Sequence, residues 1–512
     1  MSMLANVYYK TIEYLRGELK MGIAYLGVSV LSLASMLYAA SPAEDPGAAS
    51  GGKLLIGWAS KDITPARPVA LAGQFHVRIS KYVHDPITAT ALAIESAGEN
   101  GVNEQAIMVS CDLVGIEQEI QGRLRDMVKP KLPEFDTSKL FLNATHTHTG
   151  PVTAEGRYPE QGEEVMTPTE YIDFLLNCLS EVVVEAWKSR KPGGVSWAMS
   201  QAVVGHNRRA VYFDGSARMY GSTDREDFEC IEGYEDHSVN LLFFWDQDAE
   251  PTGIVINLAC PSQVTEGEYY LSADFWHEVR TELRKRYSES LFLLPQCSAA
   301  GDQSPHFLLL GRAEENMRNR KGVSEREEIA IRIADAVDYV FPIAKSGIRA
   351  NVPLKHLVED LQLPVRKVTE EELARAKSEY DRLMAKQPID ENSSDFSHLR
   401  RNKSLIDRYE QQEKAPFYQM ELHVIRLGDI AIVTNPFELF LDYGMRVKAR
   451  SKALQTFVVQ LACATGGYLP TARAVAGGGY GAEIASNRVG PEAGQVLVDR
   501  AVEVIKEFWD KE

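Results

Sequence analysis

Cysteine is scarce in this chain: Cys111, Cys178, Cys230, Cys260, Cys297 and Cys463 are scattered over 512 residues with no CxxC pair. That excludes zinc held by thiolate pairs and a small scaffold stapled by disulfides. Cys111, Cys260, Cys297 and Cys463 sit in apolar, strand-like stretches, the usual setting of buried free thiols. Basic runs are missing too, and the formal net charge is -17. Without a Lys/Arg stripe to displace phosphate counterions, nucleic acid is excluded as a partner. The acidic surplus serves solubility and points to no protein partner. No internal sequence repeat is visible. What remains is a globular composition, 45% hydrophobic and 25% charged, long enough for one large catalytic body with additions.

The N-terminus does not read as fold. Lys10, Arg16 and Lys20 precede an apolar run from Gly22 to Tyr38, and Ala39-Ala40-Ser41 offers small residues for cleavage. Residues 1–41 are therefore expected to be a signal peptide or, uncleaved, a membrane anchor. Residues 42–53 form a Pro/Gly/Ala-rich flexible linker. In both cases the body is exported, to the periplasm or the cell exterior.

From Leu54 to Glu512 the pattern is α/β, a single large domain with mixed β-sheet and surrounding helices. "LLIGWASKDITP", "ALAIES" and "AIMVSCDLVGI" read as strands, followed by a helix at "EQEIQGRLRDMVKPKL" and the strand "KLFLNATHTH". Thr167 and Glu170 form a capping-box pattern at the start of a long helix. A charged segment near 369–413, opening with Thr369 and Glu372 in the same relation, reads as an exposed helical insertion.

His146 and His148 stand one residue apart in "NATHTHTGP". On an extended strand, i and i+2 share a side, so both imidazoles are expected to face one way at a strand's end. Two such nitrogens suit zinc. Alone, an HxH pair also fits two loop histidines making ordinary hydrogen bonds.

The neighbouring motifs carry the reading further. "THTHTGP" resembles the "THTHSGP" signature of the neutral (non-lysosomal) ceramidases, exported zinc amidases. "VSCDLVGI" is similar to that family's strand bearing an aspartate (Asp112), and "GHNRRA" to its "NRS" stretch (Arg208). "QCSAAGDQSPH" resembles "CGDVSPN" (Asp302, Ser304), "NPFELF" resembles "PGEF" (Glu438), and "GGYLPT" resembles "YITT" (Tyr468). The matches keep their order from about residue 55 to 500. The resemblance implies metal ligation by His146, Glu438 and Tyr468. It also implies that His148 and Arg208 contact the activated water or the substrate, with Ser304 and Tyr468 joining them in the catalytic group.

The family's second histidine ligand has no counterpart, because "NLACPSQVTEG" places Cys260 and Pro261 there. His148 is the expected replacement ligand, with His76, His206, His237, His277 and His306 as other candidates. Zinc is the expected ion; calcium or magnesium is the alternative, which two histidines disfavour. The polar stretches around His76, Arg209, Gln263 and Asp302 are expected to bind substrate.

Three functions compete. The first is a metal-dependent hydrolase of an amide or related acyl bond. The second is a carbohydrate-active enzyme, such as a uronate-directed lyase or glycan hydrolase, on the same scaffold. The third is a non-catalytic binding protein. A small molecule, a lipid or a glycan is the expected substrate.

Overall fold

The computed structural model describes residues 53–97, 103–386 and 388–510. The expected signal or anchor segment, and all of the linker except Lys53, lie outside them. Among the described residues, no helix is long and apolar enough to cross a membrane.

One topology occurs three times. In the first unit β1 (Leu54–Asp62), β2 (Thr88–Ala97) and β3 (Asn103–Cys111) form an antiparallel meander. Helix α1 (Gln118–Val128) then crosses to β4 (Leu140–Ala144), parallel to β3, and α2 (Pro168–Lys188) follows. A parallel neighbour needs such a crossover, and a helix with one apolar face supplies it. Short β5 (Lys191–Pro192) adds to the edge at β1.

The second unit begins at β6 (Gly194–Gln201). After an excursion through β7 (His206–Asn207), β8 (Arg209–Tyr212), β9 (Ala217–Met219) and β10 (Phe228–Ile231), β11 (Ser238–Trp245) and β12 (Pro251–Leu258) complete its meander. Helix α3 (Phe275–Arg286) crosses to β13 (Phe292–Cys297), parallel to β12. Next come β14 (Gln303–Ser304), which pairs with β7, then α4 (Gly311–Lys321) and α5 (Glu325–Ser346).

The third unit runs from β15 (Leu354–Pro364) through helices α6 (Glu370–Met384) and α7 (Ser394–Gln411) to β16 (Phe417–Leu427) and β17 (Ile430–Thr434). After β18 (Glu438–Leu439), α8 (Leu441–Arg450) crosses to β19 (Gln455–Val459), parallel to β17. Then β20 (Tyr468–Leu469), α9 (Ala472–Gly477) and α10 (Pro491–Asp510) close the chain's described part.

The repeat is one of topology, which explains why no sequence repeat is visible. Each sheet turns one face to a shared core that includes Trp58, Leu92, Phe141, Phe244, Leu294, Ile432 and Phe457. The other faces pack on helices: the first sheet on α1 and α2, the second on α3 and α5, the third on α8 and α10. With both faces covered, the inner strands are apolar throughout instead of alternating.

Thr167–Glu170 and Thr369–Glu372 form capping boxes, as their spacing predicts. The helical insertion is the hairpin α6–α7, whose small apolar cluster (Val368, Ala376, Leu405) packs against Ile484 of the body.

Candidate active site

Each unit sends the loops after its two parallel strands towards one point. After β3 and β4 come Val114, His146 and His148; after β12 and β13 come Gln263, Glu266 and Ser304; after β17 and β19 come Glu438 and Tyr468. Carboxyl ends of parallel strands are where open α/β sheets bind ligands.

The strand ends at Ala144, and His146 takes a left-handed backbone (φ 67°). The two histidines are therefore brought together by a turn, not by strand alternation. A non-glycine residue at positive φ is costly and concentrates at functional sites. Here the turn is held by His146 N–H donating to the Leu113 carbonyl at 2.9 Å. The His146 Nε2 then lies 3.4 Å from His148 Nε2 and 3.5 Å from Glu438 Oε2.

The hydrogen bonds assign the tautomers. His146 Nδ1 is 2.6 Å from the Val114 carbonyl, which can only accept, so Nδ1 carries a proton and Nε2 is the ring nitrogen that faces Glu438. A carbonyl fixing one ring nitrogen while the other is free is the usual arrangement of a metal-binding imidazole. Ligands about 2.0–2.1 Å from a tetrahedral ion stand roughly 3.3 Å apart, close to both separations seen here. The residues thus fit a divalent ion at His146 and Glu438.

Tyr468 completes that side. Its register partner in the parallel β18–β20 ladder is Glu438, so the two side chains are neighbours by construction. Burial, then the Glu438 charge, push the Tyr468 phenol well above its ordinary range and keep it protonated. Burial alone would raise Glu438, but His146 and then Arg208 outweigh it and hold the carboxyl below its usual range.

His148 is held differently. Gln263 Oε1 accepts from Arg208 Nη1 at 3.1 Å, so its amide nitrogen donates to His148 Nε2 at 2.8 Å. The His148 proton is therefore on Nδ1, 3.4 Å from Glu266 Oε2 but without the alignment of a hydrogen bond. Burial, then the neighbouring His146, push its pKa well below the ordinary imidazole range, so the ring is neutral. His148 can enter a ligand set only if Gln263 releases it.

Arg208 is buried and central. Its guanidinium donates to Tyr220 Oη (2.9 Å), the Gly301 carbonyl (3.0 Å) and Tyr468 Oη (3.3 Å), and lies 3.8 Å from Glu438 Oε2. Tyr220 Oη donates in turn to Ser304 Oγ at 3.2 Å, linking Ser304 to the same network.

Other candidates stand elsewhere. Arg209 is spent on a buried pair with Glu232 (2.8 Å) and on the carbonyls of Ala474, Gly478 and Tyr480, which fixes the glycine-rich loop carrying Tyr480. Asp302 accepts from the Leu441 N–H (2.9 Å) and Asn207 (3.1 Å); burial raises it to about 6. Asp112 pairs with Arg280 through both oxygens, at 2.8 and 3.0 Å. His206 and His237 share Glu235, at 3.3 and 3.2 Å, and His277 lies 4.0 Å from Asp85. His306 is the exception and stays at the site: its Nε2 is 3.5 Å from Oε1 of Glu266, the carboxylate that faces His148, and its ring meets Tyr220 at 5.9 Å. His76 is half-buried on the loop that starts at Gly73. The Cys260 thiol is buried and faces the Val204 and Pro261 carbonyls, and burial pushes its pKa well up.

Val114, Tyr220, Glu266, Gly301 and Tyr480 were not singled out from sequence. Glu266 had a signal, since it lies in the loop that departs from the family pattern; Tyr480 had one in the glycines that surround it.

Among the described residues, the group of three His, Cys, Asp or Glu donors within 4.8 Å of one another is Glu421, His423 and Cys463. His146, His148 and Glu438 do not close to that degree. The Glu421 group is nonetheless filled by protein: Arg125 bonds both carboxylate oxygens (2.6 and 2.7 Å) and His423 is tied to His356 at 2.9 Å. A guanidinium in contact with the carboxylate opposes a second cation there.

No protein-family model and no curated protein sequence matches the chain. Solved structures do. A neutral ceramidase from Pseudomonas aeruginosa aligns with a TM-score of 0.65 at 18% identity, covering 89% of this chain and 75% of that one. A ceramidase complexed with C2 aligns with a TM-score of 0.62 at 15% identity, over 89% and 76%. The chain therefore has the ceramidase fold, and at these identities the likeness extends to the fold alone.

Proposed function

We propose that the chain is an exported metal-dependent hydrolase that cleaves an amide or related acyl bond. The observation that carries this reading is His146 Nε2 facing the Glu438 carboxylate at 3.5 Å, with the opposite ring nitrogen locked on the Val114 carbonyl. Zinc is the ion this donor set suits, with His146, Glu438 and Tyr468 holding it; calcium or magnesium would want more oxygen. The chemistry such an ion supplies is polarisation of an acyl carbonyl and acidification of water.

The chain's own groups do the rest. Arg208, whose Nε–H has no protein acceptor, offers a donor for the negative charge that develops on a carbonyl oxygen. Being buried and already positioned, it needs little reorganisation when that charge appears. His148 is neutral and would accept a proton at Nε2 once the Gln263 amide that orients its ring lets go.

One observation favours the lyase as a second reading: Arg208 is bracketed by two phenols, Tyr220 and Tyr468. A guanidinium could neutralise a uronate carboxylate there while a phenol moves the adjacent proton. Metal analysis of the purified protein, paired with turnover on N-acyl and uronate substrates, tests both. Zinc near one per chain with release of a free acid and amine supports the hydrolase. A metal-independent, unsaturated sugar product replaces it with the lyase.

A further inference from the structure

Outside the buried network, the three units each contribute a wall through the excursion between their first and second strands. The first excursion brings Gly73 against His148, where a Cβ would lie 2.5 Å from Nδ1, and continues to Phe75. The second brings Tyr220. The third is the helical insertion, which is fastened to the first: Ser397 Oγ donates to the Phe75 carbonyl, and Val77 N–H donates to the Asn392 carbonyl at 3.0 Å.

The insertion presents Arg401 at this junction. Its guanidinium carbon lies 5.0 Å from the centre of the Phe75 ring and 5.8 Å from that of Tyr480. Tyr480 is 39% exposed and meets Tyr468 edge-on at 5.4 Å, so aromatic surface continues from the site's phenol out to Arg401. Arg401 Nη2 donates to Glu483 Oε1 and to Ser486 Oγ, both at 3.1 Å, and the Glu483 carboxylate is 45% exposed.

Three buried nitrogens around the site have no hydrogen-bond acceptor. They are His148 Nδ1, which the Gln263 contact leaves protonated and which has only the misaligned Glu266 carboxylate at 3.4 Å, and the Nε–H groups of Arg208 and Arg78. Arg78 is fully buried, and its terminal nitrogens bond only carbonyls, those of Glu268, Ala72 and His148. Such a site is short of acceptors, and a ligand rich in negative oxygen supplies them.

We propose that the substrate is an acid-bearing sugar that carries the acyl group to be cut: a uronic acid unit whose ring lies against the edge-to-face pair of Phe75 and Tyr480 (5.6 Å) and whose carboxylate is met by Arg401. A sugar ring offers an apolar C–H face to an aromatic ring, and a planar guanidinium matches a carboxylate. Lipid recognition would instead call for an apolar lining. The inference rests on the hydrolase site only for where the bond is cut.

The test is calorimetric titration of the full chain with an oligogalacturonate and with the same oligosaccharide after its carboxylates are reduced to alcohols. The acid form should bind at least about tenfold more tightly, in line with one charge-assisted bidentate contact. Arg401→Gln should remove most of that preference, Arg401→Lys should restore part of it, and Phe75→Leu should weaken both forms alike. Should Arg401→Gln fold poorly, the acid form's affinity in wild type should still fall with added salt while the reduced form's does not. Equal affinity for the two forms, or binding of an N-acyl sphingoid base in detergent with none of either sugar, overturns the proposal. Tight acid-selective binding without acyl hydrolysis would instead remove the hydrolase reading and leave this one standing.

Discussion

Glu438 leaves Gly301 no room for a side chain: a Cβ on Gly301 would lie 2.3 Å from the Glu438 carbonyl oxygen. The same glycine donates its N–H to the Leu439 carbonyl at 2.8 Å, so it presses directly on the strand that presents the carboxylate. Gly301→Ala should therefore push β18 away from Arg208 and His146. We expect a loss of about 2–3 kcal/mol in unfolding free energy, the range for overpacking. Metal content and turnover should fall with it. A denaturant titration showing wild-type stability would contradict the contact.

Removal of either facing donor tests the proposed ion. His146→Ala and Glu438→Gln should each reduce bound metal well below one per chain. Activity should drop at least about 100-fold, the scale seen when a site loses one charge-stabilising group. Elemental analysis beside kinetics separates loss of metal from loss of fold.

His148→Gln decides whether Gln263 truly claims the second imidazole. With His148 Nε2 already accepting from Gln263, metal content should stay near wild type while kcat falls. A His148→Gln protein stripped of metal would make His148 the stand-in for the histidine absent at Cys260-Pro261.

Arg208→Lys keeps the charge but gives up the planar fork that reaches Tyr220, Gly301 and Tyr468 together. The expected result is a fall of about 10²–10³-fold in kcat with little change in KM, as for loss of an oxyanion donor. A change confined to KM would place Arg208 in ground-state binding instead.

Asp302 gives a pH signature with a definite sign. Burial lifts its folded pKa to about 6, above the unfolded value, so the folded state holds the extra proton between roughly pH 4 and 6. Its contribution is fully favourable below pH 4 and is lost as pH rises through 6. The loss is on the order of 2–3 kcal/mol for a two-unit shift. Other carboxylates, such as Glu421 held down to about 2, give slopes of the opposite sign, so wild type should be compared with Asp302→Asn. The difference curve should decline across that window; a flat one would show Asp302 ionising normally.

Much of the fold was legible in sequence because covered sheets and capped helices leave local marks. The apolar runs of β1, β3, β4 and β12 gave their strands, and Thr369 with Glu372 gave the start of the insertion. Short pairs such as β7–β14 and β18–β20 leave none, since two residues show no period. At the site, His146, His148, Glu438 and Tyr468 were reached through motif resemblance, and the structure brings all four into one network. Arg209 and Asp302 looked alike from sequence, yet their charges are turned to Glu232 and to backbone groups. The left-handed backbone of His146 was invisible, because no residue type there demands it. Gln263 was named for substrate, and its grip on His148 follows from a loop path that spacing cannot supply.

Pro364 faces Phe417 across the β15–β16 ladder, so the chain leaves for the insertion and returns from it at one pair of adjacent residues. To the rest of the sheet, the whole helical hairpin is a long turn. Lengthening or replacing such a turn changes chain-closure entropy only slowly. A lineage could therefore exchange this hairpin, and with it Arg401, without renegotiating the strands that carry Glu438. New substrates would be within reach of a few recombination events, while the bond-breaking groups stayed in place.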